Sequence, residues 1–438
     1  MKKLIEQEHP PGSFFNHFLH SQTAGGIILL LVSGFAFYLA NSDWWEVYNQ
    51  IAHTKLSVHI GEWDLALDLN HWVNEGLMVL FFFLVGLEIK REILRGELSS
   101  ARKASLAVFA AVGGMIVPAL VYSLFNIFFS ESRGGWGVPM ATDIAFAIGV
   151  LSLLGKRVPV SLKVFLTGLA IVDDLGAILV IALFYSEQFH LNSLMIGLLF
   201  VVVSFVYGRR GGSNGYIYAL LCVGCWYFIL ESGIHSTIAG VLMALTIPIK
   251  RKYNLEEVNH QLRARIQEEE DFGLEEEHLE AYQRIIRNTE SPLQRFEHQL
   301  HPWVAFGIMP LFAFFNAGVH LPTHFTVGLL FEPHVLGIFF GLLLGKPVGV
   351  LLACWLAVSR GWATLPNGVG WRAMIGVGCL AGLGFTMSLF ISVLAFEEGS
   401  HMLEEAKLGI ICASLAAMCL GAPLTWLGLG KPRKKQRA

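Results

Sequence analysis

Apolar residues in this chain come in long unbroken runs of about 17–25 residues, separated by short polar connections. Twelve such runs begin near Thr23, Val73, Leu106, Val138, Leu162, Leu194, Tyr216, Ile234, Val304, Val335, Ala373 and Leu408. Being continuously apolar and not alternating, they predict membrane-spanning helices and not the strands of a barrel. The runs from Val73, Tyr216 and Ile234 are shorter than a full crossing. A polar, amphipathic stretch precedes the first run and has no small-residue cleavage site, so a removed signal peptide is not expected.

The charges between the runs orient them. With the N-terminus in the cytoplasm, the inside connections hold Lys2 and Lys3; Lys90, Arg91, Arg95, Arg102 and Lys103; Lys156 and Arg157; Arg209 and Arg210; Lys250, Arg251 and Lys252; Arg360 and Arg372; and Lys431, Arg433, Lys434, Lys435 and Arg437. The outside connections hold only Lys55, Arg133 and Lys407. A missed helix would invert this bias from that point onward. The expected organisation is a cytoplasmic N-terminus (1–22), helices one to eight (23–249), a charged cytoplasmic loop (250–300), helices nine to twelve (301–428) and a basic cytoplasmic tail (429–438).

Two segments depart from the bilayer pattern. Residues 41–70 carry Trp44, Trp45, Tyr48 and Trp63, with alternating apolar positions at 65–68, and predict an external hairpin. Residues 253–292 are dense in charge, including Glu268, Glu269, Glu270, Asp271, Glu275, Glu276, Glu277 and Glu280. They predict one or two solvated helices, serving either as a plain insertion or as a regulatory module.

Composition agrees with this reading. Of 438 residues, 54% are hydrophobic and 15% charged, against about 25% charged in a soluble domain. A cytosolic enzyme, a disulfide scaffold and a disordered chain are excluded. A formal net charge of −3 gives no electrostatic case for nucleic acid. All six cysteines lie in apolar runs, so Cys222-x-x-Cys225 reads as packing and not as a redox or metal pair.

An ionised side chain at mid-membrane costs at least ~2.5–3.5 kcal/mol on insertion scales, which makes each one a functional hypothesis. Asp143, Asp173, Asp174 and Lys346 stand out. Asp173 and Asp174 are neighbours in the middle of the fifth run, and neighbouring helical residues point about 100° apart, so they cannot share one partner equally. A purely structural ion pair would use one aspartate with Lys346 and leave two carboxylates unexplained. Gly341-Leu-Leu-Leu-Gly345-Lys346-Pro347 superficially resembles a phosphate-binding loop, but it is one residue short, has Pro347 for Ser/Thr and follows no strand. Asp143 follows Pro139 and Thr142, a combination that loosens the backbone ladder and supplies groups to satisfy it. The eleventh run has a matching break through Gly376, Gly378, Gly382 and Gly384, then Thr386 and Ser388. Two interrupted helices in separate parts of one chain predict an all-α integral membrane protein of twelve transmembrane helices, an inverted-repeat transporter with discontinuous crossing helices in spans 4 and 11.

Several strings carry a family resemblance. They are Phe-Leu-Val-Gly-Leu-Glu88-Ile-Lys-Arg91-Glu92, Ala-Thr142-Asp143-Ile-Ala-Phe-Ala, Ala-Ile-Val-Asp173-Asp174-Leu-Gly-Ala, Ser-Gly-Ile-His235-Ser-Thr-Ile-Ala-Gly, His301-Pro-Trp-Val-Ala, Gly-Lys346-Pro and Gly-Phe-Thr386-Met-Ser. Together they resemble the bacterial sodium/proton antiporters of the NhaA family over nearly the whole chain. The resemblance implies that Asp174 is the principal sodium ligand, that Asp173 pairs with Lys346, and that Thr142 flanks the ion site. It implies that Asp143 and Lys346 compensate facing half-helix ends, and that Glu88, Arg91, Glu92, His235, Glu297 and His298 belong to the pH response. It further implies a multi-pass protein of the bacterial inner membrane, a homodimer joined partly through the segment after the first span, moving Na+, Li+ and H+ with no cofactor. Two features differ from the family: the long acidic stretch 253–292, and Gln294 where relatives carry a lysine.

The expected activity is electrogenic, pH-regulated extrusion of Na+ against protons. Burial favours a protonated carboxyl and a nearby cation favours the carboxylate, so one set of oxygens holds either protons or Na+. His235 is either a pH switch or a packing group. The alternative transporter is a sodium-coupled symporter of the same architecture, which would need organic-substrate groups and no adjacent aspartates. An intramembrane aspartyl protease would need its two aspartates on different helices, and a channel would short-circuit the proton gradient. A secondary transporter, not an enzyme, is the expectation.

Overall fold

The computed structural model describes residues 22–60, 63–186, 190–249, 291–321 and 327–429. The N-terminal segment before Gln22, residues 250–290 of the charged loop and the basic tail from 430 lie outside the described residues. Helix dominates, with one two-stranded sheet among the described residues. Among the described residues, six helices are long and apolar enough to cross a membrane: Ala104–Phe125, Arg133–Leu153, Val160–Phe184, Leu191–Arg209, Pro333–Ser359 and His401–Gly428. Two bent pairs, Ala24–Ala40 with Trp45–Ala52 and Trp371–Ala381 with Phe385–Ala395, bring the number to eight if each pair is one span. Other expected spans miss these limits for local reasons. Gly215–Glu231 and Thr237–Thr246 are short, and Met78–Arg95 carries five charges in its last two and a half turns. Leu31, Leu124, Leu183 and Leu220 are each at least 68% exposed, an outward apolar surface suited to lipid.

Every predicted run meets a helical segment, with local differences. The fourth begins early, as a tight 3-10 stretch Arg133–Met140 that stops before Asp143. Wide π turns interrupt three others, at Trp72–Leu77, Val304–Ile308 and Gly341–Gly345. Helix Pro292–Trp303 occupies the end of the predicted charged loop and runs on into the ninth apolar run.

The described residues fall into two compact units. One draws on Met1–Met78, Glu92–Glu187 and Pro302–Ala438, the other on Val79–Arg91 and Gln188–His301. The smaller unit packs around Phe83, Leu87, Tyr218, Cys225, Ile229, Met243 and Leu293, with Cys222 against that core as a free thiol.

In the larger unit, helices Ala101–Phe125 and Lys346–Ser359 meet at Gly113 and Gly349. A β-carbon on either would strike the other's carbonyl oxygen, so the approach requires glycine on both sides. This contact fixes the helix that begins with Lys346. Helix Val160–Phe184 starts after Pro159, whose extended backbone ends the preceding turn. At its other end, the Tyr185 hydroxyl donates to the Gly134 carbonyl at 2.7 Å and accepts from the Gly137 amide at 3.2 Å. The helix carrying Asp173 and Asp174 is thereby tied to the 3-10 stretch.

The predicted hairpin forms from strands Lys55–Ile60 and Trp63–Asp68, antiparallel, with Lys55 opposite Asp68 and Ile60 opposite Trp63. Asp68 ends it by accepting the His71 amide at 2.7 Å, an N-cap bond. Burial disfavours a charged His71 ring, but hydrogen bonding to Asp68 and the charges of Glu398, Asp68 and Glu75 prevail and raise its pKa above the usual value.

Candidate functional site

Asp143, Asp173, Asp174, Thr142 and Lys346 all lie in the larger unit and are almost fully enclosed, with 2% exposure or less. They sit where two interrupted helices touch. Backbone amides at the start of a helix and carbonyls at its end lack partners within the helix, so each break exposes both kinds of group.

Asp143 answers two helix starts at once. Its Oδ1 accepts the Phe146 amide at 3.0 Å, capping Ile144–Leu153. Its Oδ2 accepts the Thr386 amide at 3.1 Å and the Thr386 hydroxyl, near the start of Phe385–Ala395. A carboxylate between two helix N-termini is favourably placed by the partial positive charge of both. The end of Trp371–Ala381 is answered from the same side. The Thr142 hydroxyl donates to the Ala381 carbonyl at 2.9 Å, and the Asp143 amide donates to the Leu383 carbonyl at 2.6 Å. Ser388 donates to the Val138 carbonyl at 2.8 Å, a further tie between the two breaks.

Lys346 supplies the opposite charge. Its Nζ donates to the Met140 carbonyl, the last of the 3-10 stretch, and to Asp173 Oδ2 at 2.6 Å. A cation at a helical C-terminal carbonyl complements its partial negative charge. Asp173 is buried beside Thr142. Asp174, 2% exposed and next on the same helix, adds a second carboxylate whose charge reaches Lys346. The site therefore concentrates three buried carboxylates, one ammonium and several backbone carbonyls. Hard oxygen donors of this kind suit a small alkali cation, and carboxylates also take protons.

The residues assigned to pH response are distributed differently. Arg91 and Glu297 form an ion pair at 3.2 Å in the smaller unit. Glu88 lies one helical turn before Arg91 and is half-buried; His235 is half-buried just ahead of Thr237–Thr246; His298 is exposed. Glu92 falls in the larger unit.

Two features escape the sequence reading. Thr386 belongs to the site, although the sequence marks it only by its place in a glycine-rich break and in one of the family strings, with no role attached. Lys90, read simply as a topological charge, donates to the Leu245 and Ile247 carbonyls at 2.6 and 2.5 Å and closes the end of Thr237–Thr246. No spacing in the chain announces that bond.

Comparison with known proteins gives a consistent result. The profile described as Na+/H+ antiporter 1 matches residues 16–425. The protein named Na(+)/H(+) antiporter NhaA of Oleidesulfovibrio alaskensis is 47% identical over 413 residues, 92% of this chain and 91% of its own length. The protein of the same name from Acidithiobacillus ferrooxidans is 45% identical over 425 residues, 94% and 96% of the two chains. That from Shewanella frigidimarina is 45% identical over 406 residues, covering 92% and 94%. With its apolar helices, this likeness marks a multi-pass membrane protein. The match spans both interrupted helices and the paired aspartates, and on that extent the chain belongs to the Na+/H+ antiporter 1 family.

Proposed function

We propose that the protein extrudes Na+, and Li+ with it, from the bacterial cytoplasm in exchange for protons, through competition for Asp173 and Asp174. The observation that carries this reading is the buried contact of Asp173 with Lys346, with Asp174 beside it, at the meeting of two broken helices. A carboxylate oxygen engaged by Na+ cannot hold a proton, so loading one cargo releases the other without a separate coupling device. Asp174 is the principal Na+ ligand and Asp173 the second. The Thr142 hydroxyl donates to Ala381, which leaves its oxygen lone pairs available as a further ligand. With two aspartates and Lys346 titrating as one group, exchange of more protons than sodium ions follows, and transport is electrogenic.

The wider reading keeps the twelve-span topology with both termini cytoplasmic, the residue boundaries given above, spans 4 and 11 crossing at their breaks, and a homodimer in the inner membrane. Asp143 and Lys346 neutralise the facing helix ends. Arg91 and Glu297, with Glu88, Glu92, His235 and His298, adjust activity to pH. The names of the relatives support antiport over sodium-coupled symport.

The test is proton flux in proteoliposomes holding an imposed pH gradient, with no organic solute present. Added Na+ dissipates the gradient through the native protein and fails to do so through Asp174→Asn. Sodium-driven flux retained in that variant overturns the assignment.

A further inference from the structure

Away from the buried aspartates, the larger unit gathers a second group of chemistry-bearing side chains. His53 follows helix Trp45–Ala52, Asp68 ends the hairpin, His71 lies three residues on, and Glu398 precedes helix His401–Gly428. His71 Nδ1 is 2.8 Å from Asp68 Oδ1, and its Nε2 is 3.5 Å from Glu398 Oε2. His53 Nδ1 is 3.3 Å from Asp68 Oδ2. One donor atom each from Asp68, His71 and Glu398 lie within 4.8 Å of one another.

We propose that this cluster binds a divalent transition-metal ion of the Zn2+ type. Two carboxylates within 4.8 Å repel each other unless a cation stands between them. A divalent ion that displaces the proton from the His71 ring is left facing two carboxylate charges, which it balances. Imidazole nitrogen mixed with carboxylate oxygen is a donor set for zinc and its neighbours, whereas Ca2+ asks for six to eight oxygens. His53 Nδ1 contacts the other oxygen of Asp68 and so helps to orient that carboxylate. Glu398 is already aimed: Asn70 donates to its Oε1 at 3.1 Å and leaves Oε2 toward the ring. This resembles the outer hydrogen bonding that orients metal ligands. The four side chains are 15–52% exposed, so an ion reaches them from water. A cavity of about 660 Å3 extends past His53, Asn70 and Glu398. The bound ion would join the hairpin to the loop that follows the second broken helix.

The experiment is Zn2+ titration of the tag-free, detergent-purified full-length protein by calorimetry, with thermal unfolding in parallel. Native protein takes up one tight Zn2+ per chain and melts at a higher temperature with it. His71→Ala and Glu398→Gln each weaken that uptake by at least ~10-fold, the usual scale for disturbing a metal site. Glu398 lies in an exposed loop, so its variant keeps the test valid if His71→Ala misfolds. Zn2+ uptake equal in native protein and Glu398→Gln, or no tight uptake at all, overturns the proposal and leaves the cluster as a histidine held between carboxylates by a proton.

Discussion

Lys346 donates to two oxygens at once, the Asp173 carboxylate and the Met140 carbonyl, in a setting with no water-exposed surface of its own. Removing one member of a buried ion pair strands the other, at a typical cost of about 3–5 kcal/mol. Lys346→Met is therefore expected to lower the thermal midpoint of the detergent-solubilised protein markedly. Asp173→Asn combined with Lys346→Met restores much of the loss, because no charge is left stranded. Additive losses in the double variant would contradict the pairing. At this scale the sequence is partly legible. Four ionisable residues are conspicuous because apolar residues surround them on both sides. Their partners are not conspicuous: the Met140 carbonyl is a backbone atom 206 residues from Lys346, and the Thr386 hydroxyl and amide reach Asp143 from 243 residues away.

Lys346 is placed by its own helix, and that helix depends on close packing against Ala101–Phe125. At Gly349 a β-carbon would meet the Gly113 carbonyl of the facing helix. Gly349→Leu should push the Lys346 helix away from Ala101–Phe125, destabilise the protein by at least roughly 1–3 kcal/mol and reduce Na+-driven flux. Gly370→Ala, where nothing lies within 4 Å, should leave both unchanged. Thermal unfolding and proteoliposome flux check the pair, and equal behaviour of the two variants would refute the packing argument. Apolar run length reveals where helices are, and proline with threonine and aspartate, or closely spaced glycines, reveals where they break. The 3-10 form of Arg133–Met140 and the π turns at Trp72–Leu77, Val304–Ile308 and Gly341–Gly345 are not legible, because tightening or widening a helical turn leaves the apolar pattern almost unchanged. The hairpin is legible only through the alternation at residues 65–68.

For the whole molecule, charge bias and helix length weigh different things. Among the described residues, length and composition yield six to eight crossing helices, while the positive charges between runs follow a twelve-span alternation. The runs that fall short by length and composition include the short helix Thr237–Thr246 and the charged helix Met78–Arg95. What unites the scales is the claim that one set of buried oxygens holds either cargo. The direct measurement is proton release: Na+ is added to weakly buffered, detergent-purified protein while pH is followed with a dye. The account predicts acidification that saturates with Na+ binding and disappears in Asp174→Asn. Na+ binding with no proton release, or release undiminished in Asp174→Asn, would contradict it.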